Sequence, residues 1–296
     1  MPRSFPSSPG LAHRWARLAP VAVAGPDRAA FLQGQLTQDV RNLVPGESRP
    51  AAGLTPKGKL LFFGTLVGQA DRMLLLVERE AAAALLAHLS RYGAFQNVKV
   101  SDASAELEVV RLYGSPGSHL EAPDGVLRLP ARGEFAGELL VPVGLRPELE
   151  ARLEAAGSVL LDEETAEVLR VEAGRPRWGQ DADGSNLPDE VGLQESVSPN
   201  KGCYVGQEVV ARLRTYGRVN RRLVGFRFPD GAVPAGTVFA DPDKPSLELG
   251  RVTSSVLSPT RGPIGLGLAF RDVPEGGTLG APGEGRTAVV SPLPFA

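Results

Sequence analysis

Lys201-Gly202-Cys203-Tyr204-Val205-Gly206-Gln207-Glu208 holds the single cysteine of a 296-residue chain. The cysteine follows a lysine by two residues, lies between Gly202 and Gly206, and stands where an amphipathic run begins. Val209, Val210 and Leu213 recur at helical spacing, which predicts a short helix over Gln207 to Arg214 with Gly217 as its stop. Cys203 would then precede a helix N-terminus, where backbone N–H groups and the helix dipole favour a thiolate. Lys201 pushes the same way. Gly202 suits a close turn of the backbone, and Gly206 leaves room beside the thiol. Cys203 can also be read as a small buried hydrophobe, the usual state of a free cysteine. Spacing leaves both open.

Beyond Gly217 the texture changes. Short alternating runs recur at Leu223–Phe228, Thr237–Ala240, Leu249–Ser254, Ile264–Phe270 and Thr287–Val290, each punctuated by Pro or Gly. They predict a small antiparallel barrel over residues 218–296. Upstream, Asp27 is an N-cap candidate for a helix from Arg28 to Val40, which Gly34 weakens by roughly 1 kcal/mol unless it permits a close backbone approach. Lys59–Val67 and Met73–Val77 flank Gly68-Gln69-Ala70-Asp71 as a hairpin. Arg79 to Tyr92 reads as a helix capped by Gly93, and Val98–Val100 and Leu107–Leu112 as strands. Gly133 to Val143 reads as a further hairpin, and Arg146–Ala156 and Glu163–Ala173 as helices closed by Gly157 and Gly174. The order is that of an α+β region over residues 11–217, built as two subdomains on mostly antiparallel sheets. Residues 1–10, rich in Pro and Ser, read as a disordered tail.

Bulk composition narrows the class. Hydrophobic residues at 42%, charged residues at 22% and a net charge of -2 describe an ordinary globular protein, not a dedicated nucleic-acid binder. One cysteine excludes an intrachain disulfide and fits a reducing compartment. Three histidines scattered at His13, His88 and His119 make no zinc pattern. No stretch reaches the ~20 apolar residues of a membrane span, and no secretory signal is visible, so a cytoplasmic monomer is expected.

Glu172 is the second residue of interest. It follows Leu169 and Val168 by three and four positions, so it faces the apolar stripe of its helix. It also lies in the last turn, where the dipole disfavours negative charge. Such a carboxylate needs a fixed donor, either Arg170, Arg175 or Arg177, or a ligand with two adjacent N–H groups. Lys201 to Arg222 carries six cations against Glu208, a local charge of +5 able to receive an anion. Asp181 and Asp183 lie in a turn and complete no calcium loop.

The octapeptide at 201–208 resembles the signature of the YgfZ-type folate-binding proteins, relatives of the glycine-cleavage aminomethyltransferase (T-protein). Phe31-Leu32-Gln33-Gly34-Gln35-Leu36-Thr37-Gln38-Asp39-Val40, Arg170-Val171-Glu172-Ala173-Gly174, Arg221 to Phe226, and Gly250 to Ser254 with Ser258-Pro259 fit the same family in order. The resemblance implies an aminomethyltransferase-like fold, with mixed or antiparallel sheets and helices around a central opening, plus a C-terminal barrel. It implies tetrahydrofolate as ligand, Glu172 on the pterin, and Tyr204, Arg221 and Arg222 as further ligand-holding residues for a folate with an anionic tail. It implies a role for Cys203, assisted by Lys201, in building or repairing iron–sulfur clusters of client proteins, some of which modify tRNA. The alternative is a folate-dependent aminomethyl transferase or demethylase. Against it, Leu61 or Phe62 stands where the transferases carry an aspartate, and neither can exchange a proton.

Overall fold

The computed structural model describes residues 10–114, 120–131, 135–241, 244–283 and 285–295. The expected tail over residues 1–10 lies, apart from Gly10, outside them. The chain forms two compact units, Met1–Asp162 with Glu195–Gln207, and Glu163–Gln194 with Glu208–Ala296.

The first unit runs β1 (Ala12–Trp15), β2 (Leu18–Ala24), α1 (Arg28–Gln35), β3 (Ser48–Leu54), β4 (Leu60–Gly68), β5 (Arg72–Glu78), α2 (Arg79–Gly93), β6 (Lys99–Asp102), β7 (Leu107–Tyr113), β8 (Leu127–Leu129), β9 (Phe135–Pro142), α3 (Arg146–Ala155) and β10 (Val159–Leu160). Its strands make two five-stranded sheets, ordered β3-β4-β5-β2-β6 and β10-β1-β7-β9-β8. The second is mixed, because β1 pairs with β10 in parallel and with β7 antiparallel. Met73 to Val77 of β5 are all buried, as the apolar run requires when both faces are covered. On one face Leu74 and Leu76 join Val109 and Leu140 of the other sheet. On the other lies α2, with Ala81, Leu85 and Leu89 buried.

Tertiary contacts override local signals at four places. Helix α1 stops at Gln35, five residues short of the expected Val40, because Leu36 turns extended and bridges Gly53. Thr37 then follows, donating its backbone N–H to Ala52 O at 2.8 Å. Asp27 makes no side-chain cap; its carboxylate accepts the Asn97 N–H at 2.9 Å instead. Gly93 is not a left-handed stop, since the chain continues right-handed at Ala94; a Cβ at Gly93 would come within 2.8 Å of Val98 Cγ2. The expected hairpin over 133–143 is the single strand β9, paired with β7 on one side and β8 on the other; Gly133 itself lies outside the described residues.

The second unit contains α4 (Glu163–Glu172), α5 (Gln207–Tyr216, from its second residue on), β11 (Arg221–Arg227), β12 (Val238–Asp241), β13 (Lys244–Ser258), β14 (Gly262–Phe270), β15 (Thr278–Ala281) and β16 (Arg286–Ser291). The six strands close an antiparallel barrel in the order β11-β14-β13-β12-β15-β16. Phe226, Phe228 and Phe239 stack at its centre, with Phe226 and Phe239 centroids 5.7 Å apart. Gly267 makes room for them, since a Cβ there would lie 2.6 Å from Phe226 Cε2. Five of the six strands are legible as alternating runs. β15, Thr-Leu-Gly-Ala, is too short to alternate visibly.

A buried ion pair ties this unit together. The fully buried carboxylate of Asp181 accepts Arg170 Nη1 at 2.6 Å, the Arg177 N–H at 3.0 Å, and the hydroxyls of Thr253 and Ser254 at 2.5 and 2.6 Å. Arg170 also donates to Glu167 and Ser254. The backbone at 179–181 is the expected turn, but its aspartate points inward as a core acceptor. Asp181→Ala should therefore leave a buried guanidinium half-paired and cost about 3–5 kcal/mol of unfolding free energy in chemical denaturation.

Candidate functional site

Helix α1 ends with carbonyls that have no intrahelical donor left. The buried Lys201 serves one of them, together with two carbonyls just past the helix end. Its ammonium donates to Gln33 O at 2.8 Å, Leu36 O at 2.5 Å and Gln38 O at 2.9 Å. A cation at a helix C-terminus also opposes the dipole there. Neighbouring bonds extend the seam: Val205 N–H to Gly34 O at 3.1 Å, Ser198 N–H to Thr37 O at 3.0 Å, Thr37 Oγ1 to Ser196 O at 2.5 Å, and Gln38 Nε2 to Glu195 O at 3.0 Å. Gly34 thus offers its carbonyl to this seam, while a Cβ on it would meet nothing within 4 Å. The Tyr204 ring lies over the Lys201 ammonium, 5.0 Å from its centroid. Burial pushes the Lys201 pKa down to about 8, with Asp39 opposing and Arg41 adding to the fall.

Cys203 is exposed, which rules out the packing reading of its thiol. The glycines around it act differently from expectation. Gly202 has a negative φ and open space around it, so no tight turn requires it. The demanding position is Gly206, at φ +82°, where a Cβ would sit 2.5 Å from Thr55 O. Gly206 therefore lays the loop on the β3–β4 turn, and α5 starts at Gln207 directly after it. In β4, Phe62 is wholly buried in the core, while Leu61 is partly exposed.

Glu172 ends α4 in the second unit. It is largely buried, as the helix pattern predicts, and it has a fixed donor. That donor is none of the arginines nearby in sequence: Ser258 Oγ donates to Glu172 Oε1 at 2.5 Å, Thr260 Oγ1 lies at 3.4 Å and Arg261 Nε at 3.9 Å. Ser258 Oγ in turn accepts the N–H groups of Thr260 and Arg261 at 3.2 and 3.0 Å. Ser258-Pro259 was visible as a barrel motif; its link to Glu172, 86 residues away, was not.

The +5 run is only partly neutralised. Lys201 is turned onto carbonyls, and Arg214 pairs with Asp189 at 3.1 Å. Arg221 lies 4.0 Å from Glu190, and Arg222 lies 4.0 Å from Glu275 and donates to Val273 O at 3.1 Å. Acids remote in sequence offset Arg214, Arg221 and Arg222, while Arg212 and Arg218 are exposed. Lys201, Cys203 and Tyr204 belong to the first unit, and Glu172, Arg221 and Arg222 to the second. Among the described residues no group of three or more His, Cys, Asp or Glu side chains could hold a metal ion, and no helix is long and apolar enough to cross a membrane.

The depressed Lys201 pKa has a signed consequence. Between about 8 and the unfolded value near 10.4, the unfolded chain holds a proton that the folded chain has lost, so this position adds stability as pH rises through 8. Lys201→Met orphans three carbonyls and should cost roughly 1–3 kcal/mol at pH 7. Urea unfolding of both proteins should show the gap widening between pH 7 and pH 10; a constant gap would refute the depressed pKa.

No family model matches the chain. The tRNA-modifying protein YgfZ of Serratia proteamaculans is 30% identical over 268 residues, covering 81% of this chain and 77% of that protein. An aminomethyltransferase of Rubrobacter xylanophilus is 30% identical over 275 residues, covering 84% of this chain and 73% of that protein. The crystal structure of glycine cleavage system aminomethyltransferase T from Bartonella henselae matches with a TM-score of 0.85 at 23% identity, over 98% of this chain and 87% of that one. That likeness carries the fold, mixed sheets with helices followed by a closed barrel. The two sequence relatives carry the kinship, and the chain belongs to the YgfZ-type family of proteins related to the aminomethyltransferase T-protein.

Proposed function

We propose that this protein is a cytoplasmic, tetrahydrofolate-binding accessory factor for iron–sulfur enzymes, including enzymes that modify tRNA, with Cys203 as its working thiol. The observation that carries the reading is the exposed lone thiol on a loop braced by Lys201. A cysteine kept in solvent on a fixed backbone is available for chemistry in a way a packed one is not. Relatives named as tRNA-modifying proteins support the client class, and relatives named as aminomethyltransferases support a folate ligand.

The residues present fit a pterin. Glu172 keeps one carboxylate oxygen clear of the Ser258 bond and can accept from adjacent ring N–H groups. Arg221 and Arg222 are partly exposed and stand as candidates for the anionic tail. When bound, tetrahydrofolate supplies a carrier of one-carbon units. The rival reading, aminomethyl transfer to that carrier, draws on the aminomethyltransferase relatives. The buried Phe62 counts against it, and formation of 5,10-methylenetetrahydrofolate from an aminomethyl donor would favour it.

Two variants test the reading. Glu172→Gln removes the negative charge from the acceptor, and charge-assisted bonds contribute roughly 1.5–3 kcal/mol, so tetrahydrofolate should bind about ten- to a hundredfold more weakly by calorimetry. Unchanged affinity would remove Glu172 from the site. Cys203→Ser should fold normally, keep folate affinity, and fail to support iron–sulfur enzyme activity in a strain lacking the protein. Full complementation by Cys203→Ala at normal protein level would leave the thiol without a chemical role.

A further inference from the structure

The end of α4 and the β13–β14 turn share one small polar frame. Ser258 Oγ accepts both turn amides and donates its own O–H to Glu172 Oε1, so the turn and the carboxylate are held by the same hydroxyl. Two groups in this frame are left over. Glu172 Oε2 has no hydrogen-bond partner among the described residues, all of the bonds to this carboxylate falling on Oε1. Arg261 Nε is buried and has no hydrogen-bond acceptor; its 3.9 Å separation from Glu172 Oε1 is an ion pair too long for a hydrogen bond. A buried guanidinium N–H without an acceptor is costly, and the Arg261 side chain, itself 29% exposed, needs only a small movement to bring this N–H to an acceptor on a ligand seated at Glu172.

We infer that Arg261 is a specificity-determining residue of the ligand site at Glu172, donating to an acceptor that lies directly beside the N–H groups the carboxylate takes. The inference rests on the folate reading. A free carboxylate oxygen next to a free guanidinium N–H is complementary to a ligand edge that places a donor beside an acceptor. The lactam edge of a 2-amino-4-oxopteridine does this, with its ring N3–H and 2-amino donors next to the 4-oxo oxygen. A 4-amino group in place of that oxygen would turn a donor toward Arg261 Nε, and the neutral 2,4-diamino ring also lacks the N3 proton, so Glu172 contributes to the same preference and only its change in an Arg261 variant reads Arg261. Sites built to hydrogen-bond one functional group reject the analogue lacking it, because a buried partner is stranded.

Anaerobic calorimetry on the full chain with tetrahydrofolate and its 4-amino counterpart, tetrahydroaminopterin, tests this. The wild type should prefer the 4-oxo compound by at least about tenfold. Arg261→Met should weaken tetrahydrofolate by roughly ten- to a hundredfold and leave tetrahydroaminopterin unchanged, so that the preference shrinks by that factor and only the part due to Glu172 remains. Arg261→Lys, which keeps a donor, should restore part of it. Damage to folding would weaken both ligands alike, so the ratio reads the specific contact even in a destabilised variant. An unchanged ratio in Arg261→Met, or a wild type without preference, overturns the inference and leaves the folate reading standing. A wild type that binds neither pteridine brings down the folate reading, and the inference with it.

Discussion

A backbone carbonyl that leaves a helix must find a donor, and the first unit meets that demand with a side chain from far along the chain. Helix α1 cannot continue past Gln35, because Leu36 and Thr37 are drawn into pairing with Gly53 and Ala52. The carbonyls of Gln33, Leu36 and Gln38 consequently converge on one point. An ammonium with three donors fills it. The loop that carries Lys201 also carries Cys203, so the satisfaction of one helix end determines where the thiol is presented. Lys201 acts on the backbone, a different task from the electrostatic one its place two residues before the cysteine suggests.

The second unit solves a related problem with carboxylates. Asp181 and Glu172 both lie in or near the barrel wall, and each is met by hydroxyls from β13 or the turn after it. The outcomes differ. Asp181 spends both oxygens on Arg170, Arg177, Thr253 and Ser254, which is the signature of a structural group. Glu172 spends one, and beside it a buried guanidinium N–H goes without an acceptor. Fully satisfied polar networks rigidify a fold, whereas a buried donor left unpaired calls for something further.

Electrostatics also had to be redistributed by folding. Six cations between residues 201 and 222 look like a basic segment when read along the chain. In three dimensions Asp189, Glu190 and Glu275 answer Arg214, Arg221 and Arg222. A charge run in sequence measures only neighbours on the chain, and Coulomb partners at 3–4 Å are indifferent to sequence separation.

Periodicity and punctuation by themselves determined most of the elements here. The β4–β5 hairpin, helices α2 to α5 and five barrel strands follow from apolar spacing and from glycines such as Gly157 and Gly174, both at positive φ. The octapeptide and the Arg-Val-Glu-Ala-Gly run pointed to the family, and the inward face of α4 marked Glu172 as a carboxylate needing a donor. Local sequence is sufficient for these because each depends on residues within a turn or two of one another. The true end of α1, the role of Lys201, the inward course of Asp181 and the Ser258–Glu172 bond were decided only by tertiary structure. Each joins residues that are distant along the chain, and a hydrogen bond's energy depends on where two atoms meet, which no local pattern encodes.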